Sequence, residues 1–289
     1  MSGWLDELKL EPGPPFSAMG THALKLDEWL VVDEHRAPDL HRKAALLATE
    51  RPMVFAAEAG SEAAGAEALE LIEAWLADHS VAGQAASARA NTVEPNEHPL
   101  LSAARLVQED LVVMQRIAGA WVLTAGAVCF PTHWTVSDKV GLPLEGIHAP
   151  VAHYETELRE KVDRFHDRLQ PRSPVWRRNW FIVPTAELYL PAYGSRLGPP
   201  PTIAADGSPM WIRSERQTLR RLPQTDAILF TIRVQLAPLV VLRDRPDIAA
   251  KLLAVVRSWD RAKRMYTSTG GAIDAIVAWL DRVVSADSQ

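Results

Sequence analysis

The sequence has a single cysteine, Cys129, in 289 residues. That excludes an internal disulfide framework, a structural zinc site built on a cysteine cluster, and C-x-x-C-H attachment of a c-type heme. A basic excess is also missing. The net charge is −5, whereas a nucleic-acid binder needs cations to neutralise phosphates. No apolar run approaches the roughly 18 residues of a membrane span. The start, MSGWLDELKLEPGPP, carries acidic residues where a signal peptide needs a basic region and an apolar core. The expected location is the cytoplasm, with neither nucleic acid nor membrane as a partner.

Several catalytic signatures are absent too. There is no G-x-G-x-x-G opening a helix, no G-x-x-x-x-G-K-[ST] phosphate loop, no G-x-S-x-G elbow and no H-E-x-x-H. An enzyme with this sequence would depend on a bound cofactor.

What is present is globular. Hydrophobic residues make up 47% and charged residues 23%, ordinary values that allow a sizeable core. Neither repeats nor a low-complexity segment divides the chain, so residues 1–289 are read as one domain with N- and C-terminal helical extensions. Ten tryptophans against six phenylalanines fit a Trp-rich core or a large apolar pocket. Prolines 12, 14 and 15 make residues 1–26 irregular. Apolar spacing predicts helices over 61–79, 100–110 and 152–169, the last from Tyr154, Leu158, Val162, Phe165 and Leu169. Two more close the chain, one starting at Pro246 and one carrying Ile273, Ile276 and Leu280. Met53 to Ala57 reads as a short strand. Longer ones are predicted at 111–116, 120–130, 175–183, 210–219 and 227–235. Segments 81–97 and 191–209 read as connections. Strands that follow one another without strict βαβ alternation predict an α+β fold on an antiparallel sheet.

The chemistry concentrates in 121–151, WVLTAGAVCFPTHWTVSDKVGLPLEGIHAPV. His148 lies between Gly146 and Pro150, which constrain the backbone. A neutral imidazole there suits iron ligation, and a turn histidine bonded to backbone is the alternative. His133 follows Pro131 and reads as pocket lining or a surface loop. His153 and His166 flank the apolar stripe of the 152–169 helix and read as partly buried helix residues or, less simply, as ligands. Cys129 reads as a thiolate ligand or, at a strand end, a small buried hydrophobe. Arg213, Arg216, Arg220 and Arg221 cluster, with Arg178 and Arg233 on other strands. They suit a carboxylate or phosphate, or form a solvated face paired locally with Glu215. Among Glu109, Asp110, Asp138 and Lys139 any carboxylate could bind a substrate amine by charge and hydrogen bonding, and a cap or surface residue is the alternative for each.

An ordered series of segments carries a resemblance. It runs through Glu109-Asp110-Leu111, Trp121-x-Leu123-x-Ala125-Gly126, Val128-Cys129-Phe130-Pro131 with Trp134, and Lys139-x-Gly141-x-Pro143-Leu144. Ile147-His148-x-Pro150-Val151 and Val162-Asp163-Arg164-Phe165 follow. Arg178-Asn179-Trp180, Arg213-x-Glu215-Arg216-Gln217-Thr218-Leu219, Arg221-Leu222-Pro223 and Leu229-Phe230-Thr231-Ile232-Arg233 complete it. Over about 95–235 the chain resembles the heme-dependent oxidative N-demethylase family, whose described member is the heme-binding α subunit of a dimethylamine-oxidising complex. His133 and His166 depart from its pattern.

The resemblance implies a PAS-like antiparallel sheet with flanking helices that holds heme b. It implies oxygen-dependent demethylation of a small secondary amine to the monomethyl amine and formaldehyde. Electrons would come from NADPH through flavin and iron–sulfur groups on a partner reductase. His148 becomes the expected proximal iron ligand, and Arg178, Arg216 and Arg233 are expected to hold the propionates. Trp121, Val128, Phe130 and Trp134 are expected to exclude water, with Cys129 as pocket wall. A non-catalytic heme sensor or carrier, and a structural subunit without heme, are the other expectations.

Overall fold

Two long runs of alternating side chains, Trp211–Arg221 and Ile228–Pro238, pair along their whole length and form the spine of an antiparallel sheet. The computed structural model describes residues 3–12, 20–79, 97–151, 154–191, 202–261, 263–264 and 272–287. In chain order the strands are β1 His22–Ala23, β2 Phe55–Ala57, β3 Asp110–Ile117, β4 Ala120–Ala127, β5 Val175–Val183, β6 Trp211–Arg221 and β7 Ile228–Pro238. Their spatial order is β1-β5-β6-β7-β3-β4-β2, every pair antiparallel. The expected α+β class and antiparallel sheet are what the chain adopts.

Register sorts the side chains onto two faces, because neighbours along a strand point to opposite sides. One face carries Leu111, Val113, Ala125, Ala127 and Leu229, packed with Ala68, Ile72, Trp75 and Leu76. Those last four are the apolar stripe of an α-helix, Glu62–Asp78. Farther along this face, Ile182, Ile212 and Ala237 meet the C-terminal helices Pro246–Ser258 and Ile273–Asp287. This is the packed face. The other, the crossover face, carries Val112, Met114, Leu123, Trp121, Leu219, Ile228 and Phe230 under the connection from β4 to β5.

Three expectations need correction. The first 26 residues are not wholly irregular. Gly3–Glu7 forms a 3-10 turn, Leu5, Leu8 and Leu10 are buried among the C-terminal helices, and β1 pairs with β5. Apolar spacing there outweighs the nearby prolines. The predicted helix over 100–110 is only Pro99–Ala104, after which the chain turns into β3. The second strand stops at Ala127 and not at 130, since the Cys129 and Phe130 amides donate to the Asp110 carboxylate at 2.8 and 2.9 Å. The 81–97 connection lies outside the described residues apart from Glu97, as do 192–201 of the second connection. Among the described residues no helix is long and apolar enough to cross a membrane.

The β3–β4 turn is tight, with Ala118 at φ 49° and Gly119 at φ 89°, the left-handed pair a two-residue hairpin favours. Gly126 serves a different need. A methyl group at this position would overlap the Val136 side chain, which crosses directly above it. Gly126→Ala should therefore cost about 1–3 kcal/mol through overpacking. Urea unfolding checks this, and Val136→Ala added to the same chain should recover most of the loss.

Candidate active site on the crossover face

The crossover places four short elements over the sheet. They are a 3-10 turn Val136–Asp138, a one-turn helix Leu144–His148, a π turn Tyr154–Leu158 and a helix Arg159–Arg168. Tyr154, Val162 and Leu169 are buried against the sheet with Phe165 and Leu158 beside them, so the predicted stripe is used despite the π turn. Lys139 holds the first two elements together by donating to the Ile147 carbonyl at 2.7 Å. Asp138 accepts from the Thr135 hydroxyl within its own turn, a bond between side chains and not a backbone cap.

His148 ends the one-turn helix and is half-buried. Its Nδ1 lies 2.8 Å from the Leu144 carbonyl oxygen. A carbonyl only accepts, so in the neutral ring Nδ1 carries the proton and Nε2 keeps its lone pair. Burial pushes the imidazole down to about 4, against the opposing pull of the Leu144 bond and helped by His166, Arg177 and Lys139. His148 is thus neutral at physiological pH, in the tautomer that leaves Nε2 for a metal. Tyr154 stacks on it, rings 4.6 Å apart and 8° from parallel. The Tyr154 hydroxyl is buried and has no hydrogen-bond partner among the described residues.

The other histidines divide. His166 is buried with Nδ1 2.8 Å from the Val162 carbonyl, its ring near Trp121 and Phe165. His133 is buried in a left-handed conformation, φ 64°, its amide bonded to the Leu190 carbonyl at 2.7 Å; it is not on an exposed surface loop. His153 lies outside the described residues. Trp121 and Val128 belong to the apolar cluster around the crossover, and Phe130 belongs to the adjoining cluster with Cys129. Trp134 packs against both.

The sheet separates the arginines from His148. Arg178, Arg216 and Arg233 all point to the packed face. Arg178 binds Glu7, Ser214 and Gln235, at 2.9 Å to each of the last two. Arg216 donates to the Trp29 and Glu28 carbonyls at 3.0 and 2.6 Å. Arg233 pairs with Asp33 and Asp39 at 2.9 and 3.0 Å. They anchor the N-terminal segments to the sheet, on the face opposite the crossover that carries His148. Arg177, one residue earlier, shares the crossover face with Val175 and is paired in register with Gln217. In an Arg-Arg pair on a strand one side chain must point each way, and sequence alone does not say which.

Nor is the Arg213 cluster a solvated face. Arg213 is fully buried on the crossover side and donates to Thr132, Glu187, Phe130, Pro131 and Leu188. Arg221 pairs with Asp226 and lies over Trp121 at 5.2 Å, and Arg220 lies over Trp29 at 4.4 Å. Glu109 and Asp110 are likewise buried and not surface residues. Glu109 accepts from the Val31 amide, and Lys43 closes off the Val107 and Glu109 carbonyls beneath them.

Cys129 is buried and free, and desolvation pushes its thiol up to about 12. With no metal beside it, the thiol stays protonated near neutral pH. The folded protein should therefore resist iodoacetamide at pH 8, with one thiol per chain becoming reactive in denaturant. Rapid labelling of the native chain would contradict that burial.

A sequence model of one family, described as haem-dependent oxidative N-demethylase, alpha subunit-like, matches residues 20–276. The chain belongs to that family. Membership points to heme-dependent oxidative N-demethylase-like function, with heme as the cofactor, and the alpha subunit-like designation points to a multi-subunit complex. The residues present fit the cofactor. Heme brings its own ring of nitrogen ligands, so one imidazole with an anchored second nitrogen completes the protein's share. Among the described residues no three His, Cys, Asp or Glu gather as a separate metal centre.

Proposed function

We propose that the chain is the heme-binding subunit of an oxygen-using N-demethylase acting on a small secondary amine of the dimethylamine kind. The single observation that carries this reading is the His148 ring, held neutral with Nδ1 on the Leu144 carbonyl and Nε2 available. His148 would hold the iron of heme b through Nε2. The heme carboxylates we assign to Arg177 and Gln217, which share its side of the sheet, in place of Arg178, Arg216 and Arg233. Trp121, Val128 and Trp134 would keep water from the pocket, with Phe130 behind them. Bound heme would supply oxygen activation and the oxidation of an N-methyl group, releasing the monomethyl amine and formaldehyde. The protein would hold and orient. NADPH would deliver electrons through flavin and iron–sulfur groups on a partner reductase.

We read residues 1–289 as one PAS-like domain in the cytoplasm. Supporting the PAS-like reading, the five long strands lie in the order second, first, fifth, fourth, third, with the helical crossover between second and third on one face.

The test is the absorption spectrum of the chain expressed with a heme precursor, before and after dithionite and carbon monoxide, followed by formaldehyde release from dimethylamine with a reductase. A Soret band that shifts with carbon monoxide, together with formaldehyde, is the expected result. Heme and carbon monoxide binding without turnover would leave a sensor or carrier. A chain that stays colourless with hemin would defeat both.

A further inference from the structure

Two histidines of the crossover share one kind of anchor but not the same surroundings. Nδ1 of His148 and Nδ1 of His166 each lie 2.8 Å from the carbonyl oxygen four residues earlier. His166 meets its aromatic neighbours askew, Phe165 at 85° and Trp121 at 47°, with centroids 5.6 and 6.2 Å away. His148 lies flat on Tyr154, 8° from parallel at 4.6 Å. The difference matters for a ligand. A histidine ring is loosely set about its second side-chain torsion, and one hydrogen bond fixes only a point on its edge. A flat neighbour fixes its plane. Point and plane together leave Nε2 a single direction.

Tyr154 is placed by its ring. The side chain is 3% exposed, and its hydroxyl makes no hydrogen bond among the described residues. A buried tyrosine normally pairs its hydroxyl, so here the contact of the ring is what remains to orient it. Both sides of the stack are braced. The Tyr154 amide donates to the Val151 carbonyl at 3.2 Å, and a π turn, Tyr154–Leu158, carries the residue into the helix Arg159–Arg168. Such turns are rare and recur at functional sites. On the other side Lys139 holds the Ile147 carbonyl, next to His148, at 2.7 Å. Packing alone does not demand a parallel pair, since aromatic rings meet edge to face as readily. A similar anchor and stack occur at His79 on Trp75, at 14° and 3.8 Å, but on the exposed end of the helix Glu62–Asp78. At His148 the partner is buried within the apolar cluster under the crossover.

We propose that Tyr154 is a positioning residue, which fixes the plane of the His148 imidazole and with it the direction of the Nε2 lone pair. With His148 as the iron ligand, the reading on which this rests, two consequences follow from the stack. A ligand already held in one plane loses less freedom on binding, so iron is held more tightly. The negative face of an aromatic ring beside the imidazole also favours the more positive, oxidised iron. The hydroxyl takes no part in either, so phenylalanine should serve as well as tyrosine.

Nuclear magnetic resonance of the full-length chain, labelled at histidine and free of heme, tests the stack directly. The His148 ring protons should lie upfield and show an Overhauser contact to the Tyr154 ring. Tyr154→Phe should keep the upfield position and Tyr154→Leu should lose it, while the His79 signals stay in place and report an intact fold. The same variants are then loaded with heme. Tyr154→Leu should bind heme about twofold to tenfold more weakly, the equivalent of one aromatic pair, with a more positive midpoint potential and altered electron paramagnetic resonance g values. Tyr154→Phe should match the parent in all three. If Tyr154→Leu does not fold, the Overhauser contact in the parent and the Tyr154→Phe comparison still decide. A parent without that contact would overturn the proposal. So would a Tyr154→Leu chain with unmoved His148 signals or with the parent's potential and g values, or a Tyr154→Phe chain that differs from the parent. A parent that takes up no heme would count against the iron-ligand reading alone, because the ring signals are read without it.

Discussion

His148→Ala should lose its heme. The substitution removes a ring whose Nε2 is left available by an anchored Nδ1, and with it the aromatic contact to Tyr154. The fold should survive, because His148 is half-buried at the end of a one-turn helix and none of the sheet pairing passes through it. Retained heme after desalting, measured as the pyridine hemochrome, should fall at least about tenfold, since even partners of metal ligands typically cost 10–100-fold. Added imidazole should restore the Soret band by occupying the vacated position. A variant with unchanged heme content and spectrum would remove His148 from the role and return attention to His166, whose Nδ1 is anchored in the same way.

Arg213 should have the largest effect on stability. Its guanidinium is fully buried and spans Thr132 at 2.8 Å and four carbonyls, those of Glu187, Phe130, Pro131 and Leu188, at 2.8–3.1 Å. Desolvation lowers it only to about 10, so it remains charged at neutral pH, compensated by Glu215 and Asp110. Arg213→Met fills similar space but leaves those carbonyls unsatisfied in a dry interior. The expected loss is about 3–5 kcal/mol, the range for breaking a buried charge network. For a chain of this size that lowers the melting midpoint by on the order of 10 °C. Arg213→Lys should be nearly as damaging, because a single ammonium cannot span so many acceptors. Thermal and urea unfolding check both, and a midpoint within 2–3 °C of the parent would show that the network is dispensable.

Much of the fold was legible because periodicity reports burial directly. Ile228, Phe230, Ile232 and Val234 alternate against Leu229, Thr231 and Arg233, and the sheet uses that division. The stripe from Tyr154 to Leu169 was equally plain. Side chains that depend on which face a strand presents were not. Arg216 and Arg233 are partners in register, which puts them together on the face away from Phe230. Nothing in their own sequence says that the N-terminal segment, and not the crossover, lies beyond them. Buried carboxylates were the other blind spot. Glu109 and Asp110 look like solvent-facing residues until Lys43 and the amides of Val31, Cys129 and Phe130, all distant in sequence, are brought to them. Tyr154 was visible as a core position, but its unsatisfied hydroxyl has no signature in sequence.

The division of the sheet into two faces also bears on how such chains can diverge. The packed face is covered by residues drawn from both ends of the chain, so a change there is felt by the whole fold. The elements nearest His148 come from the connection between β4 and β5, while Ile232 and Val234 farther along that side of the sheet meet Leu47, Val54 and Leu188. Substitutions confined to that connection can remodel the surroundings of His148 while the helices behind the sheet keep the protein folded. A new specificity can thus be reached within one contiguous segment, without co-ordinated changes at distant positions.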